Sequence, residues 1–209
     1  MEAFTALTST AAPLEDINVD TDQIIPARFL RFPRKDGYGS FLFRDMRLTE
    51  DGQEKPEFVM NQPPYRSAKI LVANTNFGCG SSREGAVYAL FDYGYRCVIA
   101  PSFGDIFFNN CFKNGLLPVK LSAAEVAEIR RIVCEHPDTE ISVDLERQTV
   151  TLPNRKPLSF QVDPFWKMCM QRGLDDISFT IEHRGDIEAY EKRHAAEQPW
   201  LHIGEKKKA

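Results

Sequence analysis

The middle third of the chain alternates short apolar runs with stretches in which apolar residues recur every three or four positions. The runs at 68–73, 97–100 and 116–120 are typical of buried strands. The stretches between them predict two helices, one ending near Tyr93 and one extending from Ser102 to about Asn114. Strands and helices alternating at this spacing favour parallel strands with right-handed crossovers, which predicts an α/β fold.

The flanking regions carry different patterns. Proline and glycine interrupt the first third so often that it favours short strands and loops over helices. Further on, Ser122 and Glu125 predict a capping box that opens a helix. Alternating apolar residues at 141–145 and 150–152 predict a hairpin. The segments 164–172 and 174–196 then predict helices, with breaks at Gly173 and near Gly185.

Composition argues against several classes of protein. Of the 209 residues, 43% are apolar and 27% are charged, which is ordinary for a globular chain. The net charge of −4 argues against nucleic acid as a partner, because phosphate binding usually needs a basic face. No run approaches the roughly 18 apolar residues of a membrane helix, and the N-terminus lacks the pattern of a secretory signal. We therefore expect a cytoplasmic protein without a membrane partner.

The five cysteines are scattered along the chain (Cys79, Cys97, Cys111, Cys134 and Cys169). An odd number without a C-x-x-C pair favours reduced thiols over a disulfide framework. Iron–sulfur clusters need clustered thiolates, which this spacing does not offer. The sequence therefore predicts no metal site and no cofactor on this chain.

The segment 76–85 (Asn-Phe-Gly-Cys-Gly-Ser-Ser-Arg-Glu-Gly) carries the most informative chemistry. Its glycines permit a tight turn and close approach of a ligand to the backbone. Ser81 and Glu84 predict a capping box at a helix start, where free N–H groups and the helix dipole favour anions. Ser81, Ser82 and Arg83 add two hydroxyls and a guanidinium suited to a carboxylate or phosphate. A simple cap at Ser81 and an exposed Arg83 are the alternative, so spacing alone indicates only an anion site.

This string resembles the signature of the mobile C-terminal domain of the aconitase superfamily. Residues 18–30 are similar to the start of that domain, and residues 100–107 with 114–119 are similar to its end. The three strings occur in the family's order and cover most of residues 18–120. The resemblance implies a swivelling β/β/α domain over residues 1–121, with a substrate loop at 76–85 and a specificity loop at 29–43.

A free-standing chain of this length, with its segment 37–43 and the part after Leu121, resembles the bacterial small subunits of 3-isopropylmalate dehydratase. Those subunits serve leucine biosynthesis, where 2-isopropylmalate becomes 3-isopropylmalate by dehydration and rehydration. The resemblance implies a large-subunit partner that carries a [4Fe–4S] cluster and a small dicarboxylate substrate. It also implies that residues 122–209 form a helix–hairpin–helix extension packed on the same core.

The resemblance further implies roles for individual residues. Ser81 matches the family's catalytic base, and Ser82 and Arg83 match positions that bind substrate carboxylates. Asp22 matches a position near the site, as a partner of Arg83 or of a histidine of the large subunit; an Asx turn is the alternative. In the specificity loop, Arg31 would pair with a third carboxylate or lie in solvent, and we predict the latter because long arginine side chains usually reach water.

The sequence is also compatible with two other functions. A related hydro-lyase acting on citramalate or homoaconitate would use the same motifs. A non-catalytic phosphate- or nucleotide-binding module would use the Gly-Ser-Ser-Arg loop alone. The loop lacks the Gly-Lys-Ser/Thr ending of a P-loop, which argues against the second alternative.

Overall fold

Two four-stranded sheets organise the chain in the computed structural model, which describes residues 1–202. The first sheet has the order β2-β3-β4-β5 and the second has the order β1-β6-β7-β8. The strands are β1 (Ala6–Ser9), β2 (Ala11–Pro13), β3 (Ile70–Val72), β4 (Cys97–Ala100), β5 (Leu117–Lys120), β6 (Ile141–Asp144), β7 (Thr149–Thr151) and β8 (Leu158–Ser159).

The first sheet is parallel throughout, as the alternation of strands and helices predicted. Every residue of β2, β3 and β4 is buried, which agrees with their continuous apolar runs. The second sheet is antiparallel, and its β6–β7 pairing confirms the predicted hairpin. The mixed α/β fold class is therefore confirmed.

Helices cover the sheets and connect the parallel strands. They are α1 (Thr21–Ile24), α2 (Arg44–Arg47), α3 (Glu84–Tyr93), α4 (Asp105–Lys113), α5 (Ala123–Glu135), α6 (Pro164–Arg172), α7 (Asp176–Glu182) and α8 (Arg184–Glu197). The capping box of α5 is confirmed, since Ser122 Oγ accepts from Glu125 N at 3.2 Å and Ser122 N donates to Glu125 Oε2 at 2.8 Å. None of the described helices is long and apolar enough to cross a membrane.

Two local expectations from the sequence were inaccurate. Short 3-10 helices occupy much of residues 27–65, where we expected short strands and loops, because proline fixes backbone angles that suit such turns. Helix α3 begins at Glu84 with Arg83 as its N-cap residue, so Ser81 does not cap it. The predicted break near Gly185 is confirmed, since α7 ends at Glu182 and α8 begins at Arg184, with His183 between them.

A continuous hydrophobic core joins both sheets. It contains Phe4, which precedes β1, and Ala12 of β2, together with Val126 of α5, Val143 of β6 and Met170 of α6. Helix α8 is different, since none of its residues is buried. Residues on both sides of Leu121 thus contribute to one core.

Candidate active-site loop

Loops that follow three adjacent parallel strands meet at one edge of the first sheet. Gly78 N donates to Val19 O at 2.7 Å, and Phe77 N donates to Ser102 O at 3.0 Å. The loops after β2, β3 and β4 are therefore tied together by their backbones. Ligands of open α/β sheets usually bind at this carboxyl edge of the strands.

Gly78 allows this close packing. Its φ of +69° lies in the left-handed region, and a Cβ at this position would overlap the ring of Phe107. The ring of Phe107 in turn packs edge-on against Phe77, with centroids 5.4 Å apart. The base of the segment 76–85 is thereby fixed against the core.

The upper part of the loop presents Ser81 and Ser82 to solvent. Thr21 Oγ1 donates to Ser81 O at 3.0 Å and Arg83 N donates to the same oxygen at 2.8 Å, so the Ser81 backbone is held from both sides. Both serine side chains are exposed. Within residues 1–202, neither hydroxyl makes a hydrogen bond. The predicted capping box between Ser81 and Glu84 is therefore wrong, and the Ser81 hydroxyl is available to a ligand.

Arg83 lies at the start of α3 and pairs with Asp22. The Arg83 side chain is only 18% exposed, and its Nη1 forms an ion pair with Asp22 Oδ1. That carboxylate oxygen also accepts from Ala27 N at 3.1 Å. The Arg83 guanidinium holds the pKa of Asp22 below its usual range. Of the two partners considered for Asp22, the structure thus places Arg83 beside it.

Arg31 lies in the specificity loop, whereas Ser81, Ser82 and Arg83 lie in the segment 76–85. It is exposed, its guanidinium lies 5.1 Å from the centre of the Phe32 ring, and it has no ion-pair partner among the described residues. The contact between the two loops comes instead from its neighbour Leu30. A Cβ added to Gly85 would lie 2.6 Å from Leu30 Cδ2. Ser81, Ser82, Arg83 and Asp22 therefore form one cluster, and Arg31 stands beside it.

The potential metal ligands in the described part of the chain do not fit a metal cluster. Among residues 1–202, no group of three or more His, Cys, Asp or Glu side chains is arranged to hold a metal ion. Burial raises the pKa of the Cys97 and Cys111 thiols, which favours their neutral form. The Sγ of Cys79 lies 3.3 Å from Asn18 O, so this thiol is held within the loop.

Known proteins are similar to this chain in sequence and in architecture. A family model for the aconitase C-terminal domain matches residues 1–124. A LeuD_N model matches residues 128–164, and a model for the C-terminal domain of 3-isopropylmalate dehydratase small subunits matches residues 176–203. The small subunit of 3-isopropylmalate dehydratase from Paramagnetospirillum magneticum is 54% identical over 201 residues, covering 96% of this chain and 100% of that protein. The chain belongs to the family of 3-isopropylmalate dehydratase small subunits.

Further relatives agree with this assignment of the small subunit. The corresponding protein of Rhodospirillum centenum is 51% identical over 200 residues, covering 96% of this chain and 98% of that one. A crystal structure of 3-isopropylmalate dehydratase from Methanocaldococcus jannaschii has a TM-score of 0.62 and 26% identity, covering 89% of this chain and 99% of that chain. The resemblance that the motifs indicated is confirmed.

Sequence reasoning did not reveal the contacts of two residues that shape the site of this small subunit. Thr21 is buried, with 1% exposure, and its hydroxyl holds the Ser81 carbonyl. Leu30 packs on Gly85 in the first turn of α3. Both residues lie in the segment 18–30 that carried the resemblance, but the pattern of the sequence did not reveal which atoms they contact.

Proposed function

We propose that this small subunit supplies the Ser81-Ser82-Arg83 loop to 3-isopropylmalate dehydratase, with the remaining catalytic groups on a large subunit. The enzyme interconverts 2-isopropylmalate and 3-isopropylmalate by loss and re-addition of water. One observation supports this most directly: two exposed serine hydroxyls lie beside an Arg83–Asp22 ion pair at the start of a helix. This arrangement suits a substrate carboxylate.

Ser81 is the proposed catalytic base. Its alkoxide would take a proton from the carbon next to a carboxylate, and the C–O bond on the neighbouring carbon would break, so that its hydroxyl leaves as water and an alkene diacid forms. A serine hydroxyl is a weak base in water, so its alkoxide needs stabilisation by nearby positive charge. Helix α3 has no side-chain cap, and its first-turn N–H groups and dipole favour negative charge there.

Ser82 and Arg83 are the proposed carboxylate ligands. A guanidinium can donate two parallel hydrogen bonds to a carboxylate, and a serine hydroxyl can donate a third. Asp22 would hold the Arg83 side chain in position, because it already pairs with Nη1. The Asp22 carboxylate also neutralises the charge of the Arg83 guanidinium before substrate binds.

The rest of the site would lie on the partner. A [4Fe–4S] cluster on the large subunit would supply a Lewis acid to the departing hydroxyl and to a substrate carboxylate. The thiols of this chain do not fit such a cluster, so we assign it to the partner. Both subunits would work in the cytoplasm, where thiols stay reduced.

Reconstitution tests this proposal. The purified small subunit alone should not isomerise 2-isopropylmalate, and adding a cluster-loaded large subunit should restore turnover, since each chain holds part of the site. The large subunit alone is the matched control. Turnover by the isolated small subunit at the rate of the complex would contradict the proposal.

A variant at Arg31 tests which of the related acids is the substrate. Its exposure, and its lack of an ion-pair partner among the described residues, support isopropylmalate over a tricarboxylate such as homoaconitate. We expect Arg31→Ala to leave kcat/KM for isopropylmalate largely unchanged. If Arg31 paired with a third carboxylate, the variant would lose activity selectively on homoaconitate, by several kcal/mol for a broken desolvated pair, or roughly 100-fold and more.

A further inference from the structure

Tyr38 fastens the part of the specificity loop that surrounds Arg31. Its hydroxyl donates to Phe32 O at 2.9 Å and lies 3.4 Å from Leu30 O. These two carbonyls flank Arg31 on either side. Tyr38 is 6% exposed, so this polar contact is shielded from water.

The Tyr38 ring joins the same loop to helix α3. Its centroid lies 6.1 Å from that of Tyr88 on α3 and 6.1 Å from that of Phe41 in the loop. Arg34 provides a second attachment, because its Nη2 lies 2.7 Å from Asp92 Oδ1 and its guanidinium lies 4.2 Å from the Tyr88 ring centre. The segment 30–34 is therefore bound to α3 at both ends.

Helix α3 also carries the substrate loop at its start. Leu30 contacts Gly85, which lies two residues after Arg83. The position of Leu30 relative to Ser81–Arg83 consequently depends on how the specificity loop sits against α3. Tyr38 fixes that position through the backbone of residues 30–32, although its own side chain faces away from solvent.

We propose that Tyr38 is a positioning residue for substrate selection, acting through the Leu30 and Phe32 carbonyls. This inference rests on the proposed function above. It holds that the Tyr38 hydroxyl keeps the apolar side chains of Leu30 and Phe32 in place for a branched substrate side chain. The hydroxyl takes no part in the chemical step.

The test is Tyr38→Phe in the complex reconstituted with the large subunit, assayed on 2-isopropylmalate and on citramalate. The variant keeps the ring and removes the hydroxyl. We expect the ratio of kcat/KM for isopropylmalate to that for citramalate to fall by roughly 3- to 10-fold, as for one lost buried hydrogen bond. The change should come from KM for isopropylmalate, with kcat nearly unchanged.

Tyr65→Phe is the matched control. Tyr65 is also 6% exposed, and its hydroxyl donates to the Val133 carbonyl at 3.3 Å, on the helix α5 side of the core. This variant should lose similar stability in thermal unfolding while keeping the wild-type substrate ratio. An equal ratio change in both variants, or none in Tyr38→Phe, would overturn the inference.

Two further measurements distinguish failure of this inference from failure of the proposed function. If Tyr38→Phe does not assemble, Arg34→Ala removes the other attachment from a side chain that is 40% exposed, and the ratio should move in the same direction. An unchanged ratio in Arg34→Ala would then count against the inference. Failure of the wild-type complex to isomerise isopropylmalate would instead refute the proposed function itself.

Discussion

At the scale of single residues, the side chain and the backbone of Ser81 have separate tasks. The Ser81 carbonyl accepts two hydrogen bonds, whereas its hydroxyl makes none within the described residues. Removing the hydroxyl should therefore leave the fold intact. Ser81→Ala should change the free energy of unfolding by less than about 0.5 kcal/mol. It should lower kcat of the complex by roughly 10²–10⁴-fold, the contribution of a general base.

Ser122→Ala provides the opposite behaviour as a control. The Ser122 hydroxyl caps α5, so its loss should cost about 1 kcal/mol of stability in urea unfolding. Because Ser122 lies outside the proposed site, kcat should stay unchanged. Near-normal kcat in Ser81→Ala would show that this serine is not the base.

Arg83→Lys should be nearly as harmful to kcat/KM as Arg83→Ala. A guanidinium offers a fork of two parallel donors to a carboxylate, whereas an ammonium is a point charge. We expect a loss of roughly 100-fold or more in both variants, measured on 2-isopropylmalate with the reconstituted complex. Restored activity in the lysine variant would mean that the contact needs only charge.

The Arg83→Ala variant should also change the titration of Asp22. Because Arg83 holds the pKa of Asp22 below its usual range, their pair stabilises the fold above the unfolded pKa of about 3.9. That contribution is lost as the pH falls through the lower pKa of the folded protein. In Arg83→Ala, the pKa of Asp22 should rise, which NMR titration of the carboxyl group would detect.

At the scale of elements, the packing of the loop 76–85 against α4 depends on Gly78. Gly78→Ala would add a methyl group against the Phe107 ring at a positive φ. Overpacking and left-handed strain together should cost roughly 2–5 kcal/mol of unfolding free energy. We also expect a large loss of kcat, since the Ser81 backbone would move.

Gly94→Ala separates strain from overpacking. Gly94 ends α3 with a φ of +123°, and nothing lies within 4 Å of a Cβ added there. This variant should cost only roughly 1–2 kcal/mol, and the activity per folded complex should remain. Equal losses of stability in the two variants would show that the Phe107 contact is unimportant.

The elements with strong patterns were predictable from sequence, whereas the loops were not. The parallel strands and α5 followed from apolar runs, periodicity and the Ser122–Glu125 box, because these signals are local. The start of α3 was misplaced because serine is a common N-cap residue. The Ser81 carbonyl instead accepts a hydrogen bond from Thr21, sixty residues earlier in sequence. The Asp22–Arg83 pair and the Leu30–Gly85 contact are likewise long-range, so only three-dimensional packing reveals them.

At the scale of the whole molecule, the hydrophobic core extends across Leu121, where the motifs placed the end of the first domain. We propose that residues 1–121 and 122–202 form one folding unit, since α5 buries Val126, Ile129 and Val133 in the common core. A chain ending at Leu121 would expose the apolar surface that α5 covers, and it would leave β1 without its partner β6. It should show no cooperative thermal transition, as measured by circular dichroism.

A chain ending at His183 is the control for that truncation. It lacks α8, none of whose residues is buried, so the core stays complete. Cooperative unfolding should persist with only a small shift of the midpoint. A cooperative transition in the 1–121 chain would instead support an independent first domain.

The pairing of β1 with β6 also bears on how the chain is made. Ala6 pairs with Asp144, so the first strand leaves the ribosome long before its partner exists. At about 5–20 residues per second, the delay is on the order of 10 s. During that time β1 is an unpaired edge that could join other nascent chains. Its sequence, Ala-Leu-Thr-Ser, contains a single large apolar residue, which makes the waiting strand a poor template for aggregation.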